Sequence, residues 1–187
     1  MSTTTIVILC AVALLIITLI SIYNSLVRLR NNRENAFADI DVQLKQRHDL
    51  IPQLVASVKG YATHEKETFD RVVQARNGAM QARSIDDKIV AENALTSALS
   101  GLKVTLEAYP ELKANQNFLQ LQEEISDIEN KLAAARRYFN SATKELNNKV
   151  QTFPANMVSG MFGFRKEMMF DLGGERATLE QAPKIEF

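Results

Sequence analysis

One cysteine, four prolines, seven glycines, two histidines and no tryptophan in 187 residues set the first limits on this chain. With Cys10 alone, neither an internal disulfide framework nor a thiolate metal cluster can be built. So little glycine and proline leaves few sharp turns, which predicts a chain that is nearly all helix. An excess of one charge is also missing: basic and acidic residues balance at 22 each, so there is no electrostatic footprint for nucleic acid. No glycine-rich phosphate loop precedes a helix, and no serine and histidine stand in a nucleophile setting. His64-Glu65 opens like the HExxH zinc-protease pattern, but Thr68 occupies the place of the second ligand and His48 lies sixteen residues earlier. Without a second histidine on the same helical face there is no zinc pair. These absences predict a non-enzymatic protein with no metal and no cofactor.

What is present begins with residues 6–22, IVILCAVALLIITLISI, an uncharged run followed by Tyr23, Arg28, Arg30 and Arg33. At about 1.5 Å per residue the run covers roughly 25 Å, so Thr3 to Thr5 and Tyr23 must help it cross a hydrocarbon core of about 30 Å. The competing reading is a cleaved signal peptide. Against it, residues 1–5 carry no Lys or Arg and no small-x-small site follows the run. Three arginines on the C-terminal side and none before the run place the bulk of the chain in the cytoplasm by the positive-inside rule. The expected arrangement is therefore a single pass with the N-terminus outside and the helical domain cytoplasmic.

Beyond the anchor the apolar spacing is helical. Phe37, Ile40, Leu44, Ile51, Leu54 and Val58 alternate three and four, with Arg47 in the missing step. Nothing in residues 23–49 is Gly or Pro, so the anchor should continue into this helix, be kinked by Pro52 and stop at Gly60. A second helix is expected over residues 62–82 through Phe69, Val72 and Arg76. Ser84-Ile85-Asp86-Asp87 resembles a capped start for a third, through Leu95, Leu99, Leu102 and Leu106. A turn at residues 111–115 leads to a long fourth helix carrying Leu121, Ile125, Ile128, Leu132, Phe139 and Leu146, spaced for left-handed coiled packing. Short connections favour antiparallel neighbours. The expected class is all-α: an anchor at 1–23, an antiparallel up-down four-helix bundle at 24–153, an apolar juxtamembrane segment at 154–172 and a mobile tail at 173–187. The expected outward and returning helices are equal in length, so the fourth should come back to the membrane surface.

Two features invite a functional reading. The apolar segment carries Phe153, Met161, Phe162, Phe164, Met168, Met169 and Phe170, with Arg165 and Lys166 among them. It can fold back to cap the bundle base, with Met filling gaps. It can equally be an interfacial or partner-binding patch. Tyr23, Arg28, Arg30, Arg33, Arg165 and Lys166 are the expected membrane-interface residues. The second feature is charge on the apolar stripes: Arg47, Arg76, Glu92 and Glu124, beside Glu123, fall at similar heights and could form a polar layer that fixes helix register. Alternatively, both arginines lay their stems on the core edge and hold their heads in water.

The stretch YNSLVRLRNNRENAFADIDVQLKQRHDLIPQLVASVKGYATHE, with QAR at 74–76, YPELKANQNFLQLQ at 109–122 and YFNSATKELNNKVQTFPANMVSGMFGF at 138–164, resembles the LemA family of bacterial membrane proteins. The resemblance covers residue 23 to about residue 170. It implies a single-pass anchor carrying a four-helix domain, with no known catalytic activity and no catalytic residues to carry over. It implies a scaffold or adaptor of the inner membrane, often associated with membrane proteases such as HtpX-type metallopeptidases, and a related branch that shapes magnetosome membranes. Asp39, Asp41, Arg47, His48, Asp49, Pro52, His64 and Arg76 match its motifs and read as fold or interface determinants. The expected partners are membrane lipid, further copies of the chain and membrane proteins, proteases among them, and not nucleic acid. The alternative expectation is membrane remodelling.

Overall fold

The absence of helix breakers in residues 23–49 has a direct structural result. In the computed structural model, which describes residues 2–62 and 64–170 apart from the Lys113 side chain, α1 runs unbroken over Thr3–Lys59 with Pro52 inside it. It is followed by α2 (Lys66–Gln81), α3 (Ile85–Leu106), a 3-10 turn (Pro110–Ala114), α4 (Gln116–Gln151) and α5 (Ala155–Met161). No strand occurs among the described residues. The tail expected at 173–187 lies outside them.

Several boundaries differ from the expected ones for local reasons. Helix α2 begins at Lys66 and not at residue 62: Tyr61 and Ala62 close α1 through their N–H groups on the Val58 carbonyl, and the α2 ladder opens with Phe69 N–H on the Glu65 carbonyl at 3.2 Å. Gly60 ends α1 without a left-handed conformation, since Gly163 is the positive-φ glycine among the described residues. The expected turn at 111–115 is instead helical, with Leu112 wholly buried. Ser84 caps α3: its Oγ accepts from Asp87 N–H at 3.0 Å and donates to Asp87 Oδ2 at 2.6 Å. Asn115 serves α4 similarly, its Oδ1 accepting from Phe118 N–H at 3.2 Å.

The chain divides into two compact units, residues up to 36 with 138–169, and residues 37–137 with 170. Helices α1 and α4 supply residues to each. In the larger unit, Ile51, Leu54 and Val58 of α1 share a core with Phe69, Val72 and Ala79 of α2 and with Leu95, Leu102 and Leu106 of α3. Leu112 and Phe118 complete it. At roughly 1.5–3 kcal/mol for each large apolar side chain buried, this core is what holds the short α2 in place.

In the smaller unit, Ile22 and Leu26 of α1 pack with Leu146 and Val150 of α4 and with Ala155 and Val158 of α5. Helix α5 is closed by Gly163 at φ 73°, which lets Phe164 N–H reach the Ser159 carbonyl at 2.9 Å in a Schellman arrangement. Ser159 Oγ donates to the Val150 carbonyl at 3.0 Å. Asn147 holds the irregular segment after α5, donating to the Glu167 carbonyl at 2.9 Å and accepting from Glu167 N–H at 2.8 Å.

Candidate membrane-facing interface

Residues 6–20 of α1 are apolar and exposed almost throughout, and α1 is the one described helix long and apolar enough to cross a membrane by length and composition. Where that run ends, an aromatic cluster begins. The Tyr23 ring lies 4.8 Å from Phe162 and 6.0 Å from Phe164, and the Arg30 guanidinium sits 5.3 Å over the Phe164 ring. Tyrosine suits this place because its ring is apolar and its hydroxyl wet. Helix α5 turns Ala155, Val158 and Ser159 inward and leaves Met157 and Met161 outward. Phe153 is 79% exposed, Met161 81% and Phe162 59%, with Met168 and Met169 partly exposed. Large apolar side chains this bare are unusual on a protein surface meant for water alone.

The cations separate into two kinds. Arg28, Arg30, Arg165 and Lys166 are exposed. Arg33 is 5% exposed: its Nη1 lies 3.3 Å from Glu167 Oε2, Nη2 donates to the Met168 carbonyl at 3.3 Å, and its guanidinium lies 5.0 Å over the Phe139 ring. It is a packing residue and not a headgroup contact. Phe170 departs from its expected place in the same way. It is buried, stacked on Phe37 with ring centroids 6.3 Å apart and covered by Arg136 at 5.1 Å.

The charged stripe positions fall in the larger unit. Arg47 Nη1 donates to Glu92 Oε2 at 3.1 Å, both side chains being 1% exposed, and Nη2 donates to Thr96 Oγ1 at 3.0 Å. His48 Nε2 is 2.6 Å from Glu92 Oε1, and Arg76 Nε donates to the His48 carbonyl at 2.6 Å. Glu124 is outside this cluster, exposed and accepting from Gln120 on its own helix. Glu129 stands in its place, with Oε1 2.8 Å from Arg47 Nε. Reading the sequence by height along each helix missed Glu129, Thr96 and the role of His48. Their signal was adjacency: His48 follows Arg47, and Glu129 follows the core residue Ile128. Asp41 takes both oxygens to Lys88 Nζ at 2.8 Å, and Lys88 lies 5.4 Å over the Phe37 ring.

Elsewhere, Tyr109 donates to Glu65 Oε1 at 3.2 Å. Partial burial, with the Glu65 hydrogen bond and charge, holds its hydroxyl above the ordinary value of 10.0. No group of three or more His, Cys, Asp or Glu side chains able to hold a metal occurs among the described residues.

An all-helical protein with one apolar helix fit to cross a membrane, and aromatics gathered at its end, belongs to the class of membrane-associated helical proteins. The chain matches the LemA family over residues 36–187 and belongs to it. It is 31% identical to Protein LemA of Metamycoplasma hominis over 140 residues, which cover 73% of this chain and 63% of that protein, so it spans less than two thirds of that relative's length. It is also similar to Magnetosome protein MamQ 2 of Paramagnetospirillum magneticum, at 19% identity over 86% of this chain and 68% of the relative. Magnetosome protein MamQ of Magnetospirillum gryphiswaldense is 22% identical over 83% of this chain and 66% of its own length. No catalytic family is indicated.

Proposed function

We propose that the chain is a non-enzymatic scaffold, anchored in the bacterial inner membrane by α1, that self-associates and presents an apolar surface to membrane proteins, membrane proteases among them. The observation that carries this reading is the bare Phe153, Met161 and Phe162 surface in the same unit as the exposed apolar run of α1. Such side chains are favoured where a partner removes them from water. The helices beyond the anchor are proposed to form an antiparallel bundle on the cytoplasmic side, consistent with Arg28 and Arg30 following the apolar run.

The test is gentle extraction of the full-length protein, the mass of its complex and the identity of what purifies with it. A defined membrane-protein companion, lost on Phe153→Ser with Met161→Ser while helicity is kept, supports the adaptor reading. A monomer without companions that the double variant leaves unchanged defeats it. Deletion of residues 153–170 is the blunter probe, since it also takes Ala155 and Val158 from the core.

A second reading, membrane shaping, is favoured by the exposed cations Arg28, Arg30, Arg165 and Lys166. Each is worth ~1 kcal/mol near an anionic surface. Vesicles of anionic lipid whose shape is indifferent to the reconstituted protein remove this option.

A further inference from the structure

Beside the buried Arg47 lies a cavity of about 650 Å³, within the size range of small-molecule sites. Its walls are Leu54 of α1, Leu99, Leu102 and Leu106 of α3, and Leu119 and Ile125 of α4. One end is polar, formed by Arg47, Thr96 and Glu129. From Thr96 to Leu106 along α3, and from Glu129 to Leu119 along α4, ten residues give a trough about 15 Å long, whose apolar wall is interrupted by Ser100, Gln122 and Ser126. Lys103 and Glu123 also line it, one charge of each sign.

The polar end is incompletely satisfied. A guanidinium has five N–H donors, and Arg47 uses two of them in hydrogen bonds, to Glu92 and Thr96. Its Nε is buried and has no hydrogen-bond partner: Glu129 Oε1 is near, at 2.8 Å, but off the N–H direction. Glu92 is fixed by burial and by His48, whereas the Glu129 side chain is 34% exposed. Glu129 can therefore rotate into water at little cost, and another carboxylate can take its place without changing the charge count around Arg47.

We propose that this trough binds a fatty-acid carboxylate, its head on Arg47 in place of Glu129 and its chain along Leu99, Leu102, Leu106 and Leu119. A carboxylate aligned with the guanidinium makes the charge-assisted hydrogen bonds that Glu129 leaves unmade. The acyl chain covers Leu119, which is 45% exposed, and the partly buried Leu99 and Ile125. Glu129 is thus a competitor for the site and not a part of it.

The full-length protein in lipid nanodiscs, irradiated with a fatty acid carrying a diazirine at the chain end, reads this directly by peptide mapping. Adducts are expected near Leu106 and Leu119, with dodecanoate competing about tenfold better than dodecanol. Glu129→Gln is expected to increase labelling about threefold by freeing Arg47. Leu99→Trp, which fills the trough, is expected to abolish it. Adducts confined to residues 3–22 overturn the proposal, as does equal competition by dodecanol. Weaker labelling in Glu129→Gln also overturns it, because Glu129 would then be holding the occupant itself.

Discussion

Replacing Arg47 by Met leaves Glu92, 1% exposed, with a charge and no cation beside it except what His48 can offer. Losing one partner of a buried pair costs about 3–5 kcal/mol, whereas replacing both by apolar residues is often neutral. Arg47→Met is therefore expected to destabilise the larger unit by about 3 kcal/mol, and Arg47→Met with Glu92→Leu by about 1 kcal/mol, in urea unfolding followed by circular dichroism. Tyr109 gives a pH dependence. Its hydroxyl titrates above the ordinary 10.0 in the folded chain, so its contribution is whole below that value and is lost as pH rises through the raised one. Wild type should lose more stability than Tyr109→Phe as pH rises above 10.0, measured by the urea midpoint. At this scale the sequence was partly legible. Arg47 and Glu92 stand at one height on apolar stripes and lie 3.1 Å apart. Glu124 and Glu129 differ by five residues, about 7.5 Å along α4 and roughly 140° around it, so the expected height was off by more than a turn and said nothing of which way either side chain faces. Phe170 was illegible because its burial depends on Phe37 and Arg136, both distant in sequence.

Elements were easier to read than their ends. The continuity of α1 follows from the absence of Gly and Pro in residues 23–49, and the start of α3 from the hydroxyl and acids at Ser84, Asp86 and Asp87. Helix α5 was not legible: its seven residues, Ala155–Met161, are too few to display a period. Its closure makes it testable. Gly163 holds φ 73° with open space where a Cβ would go, so Gly163→Ala meets backbone strain and no clash. That substitution should cost about 1 kcal/mol, seen as faster hydrogen exchange at the Phe164 amide.

For the molecule as a whole the decisive stretch is the exposed apolar run of α1. Leu14 lies near its middle and is exposed. A cation at the centre of a membrane span costs about 2.5–3.5 kcal/mol on insertion scales. Leu14→Arg is therefore expected to lower the fraction of protein that resists alkaline carbonate extraction from membranes. An unchanged fraction would mean that α1 is not the anchor. The apolar run was legible at once, because no tertiary context is needed to count uncharged residues.

Asn147 carries a different kind of consequence. Its amide reads the Glu167 backbone with one donor and one acceptor, so the contact depends on the difference between a nitrogen and an oxygen. An aspartate there would set a carboxylate oxygen against a carbonyl oxygen where an N–H once lay. The segment around Glu167 is thus joined to α4 by a contact that only an amide side chain can complete.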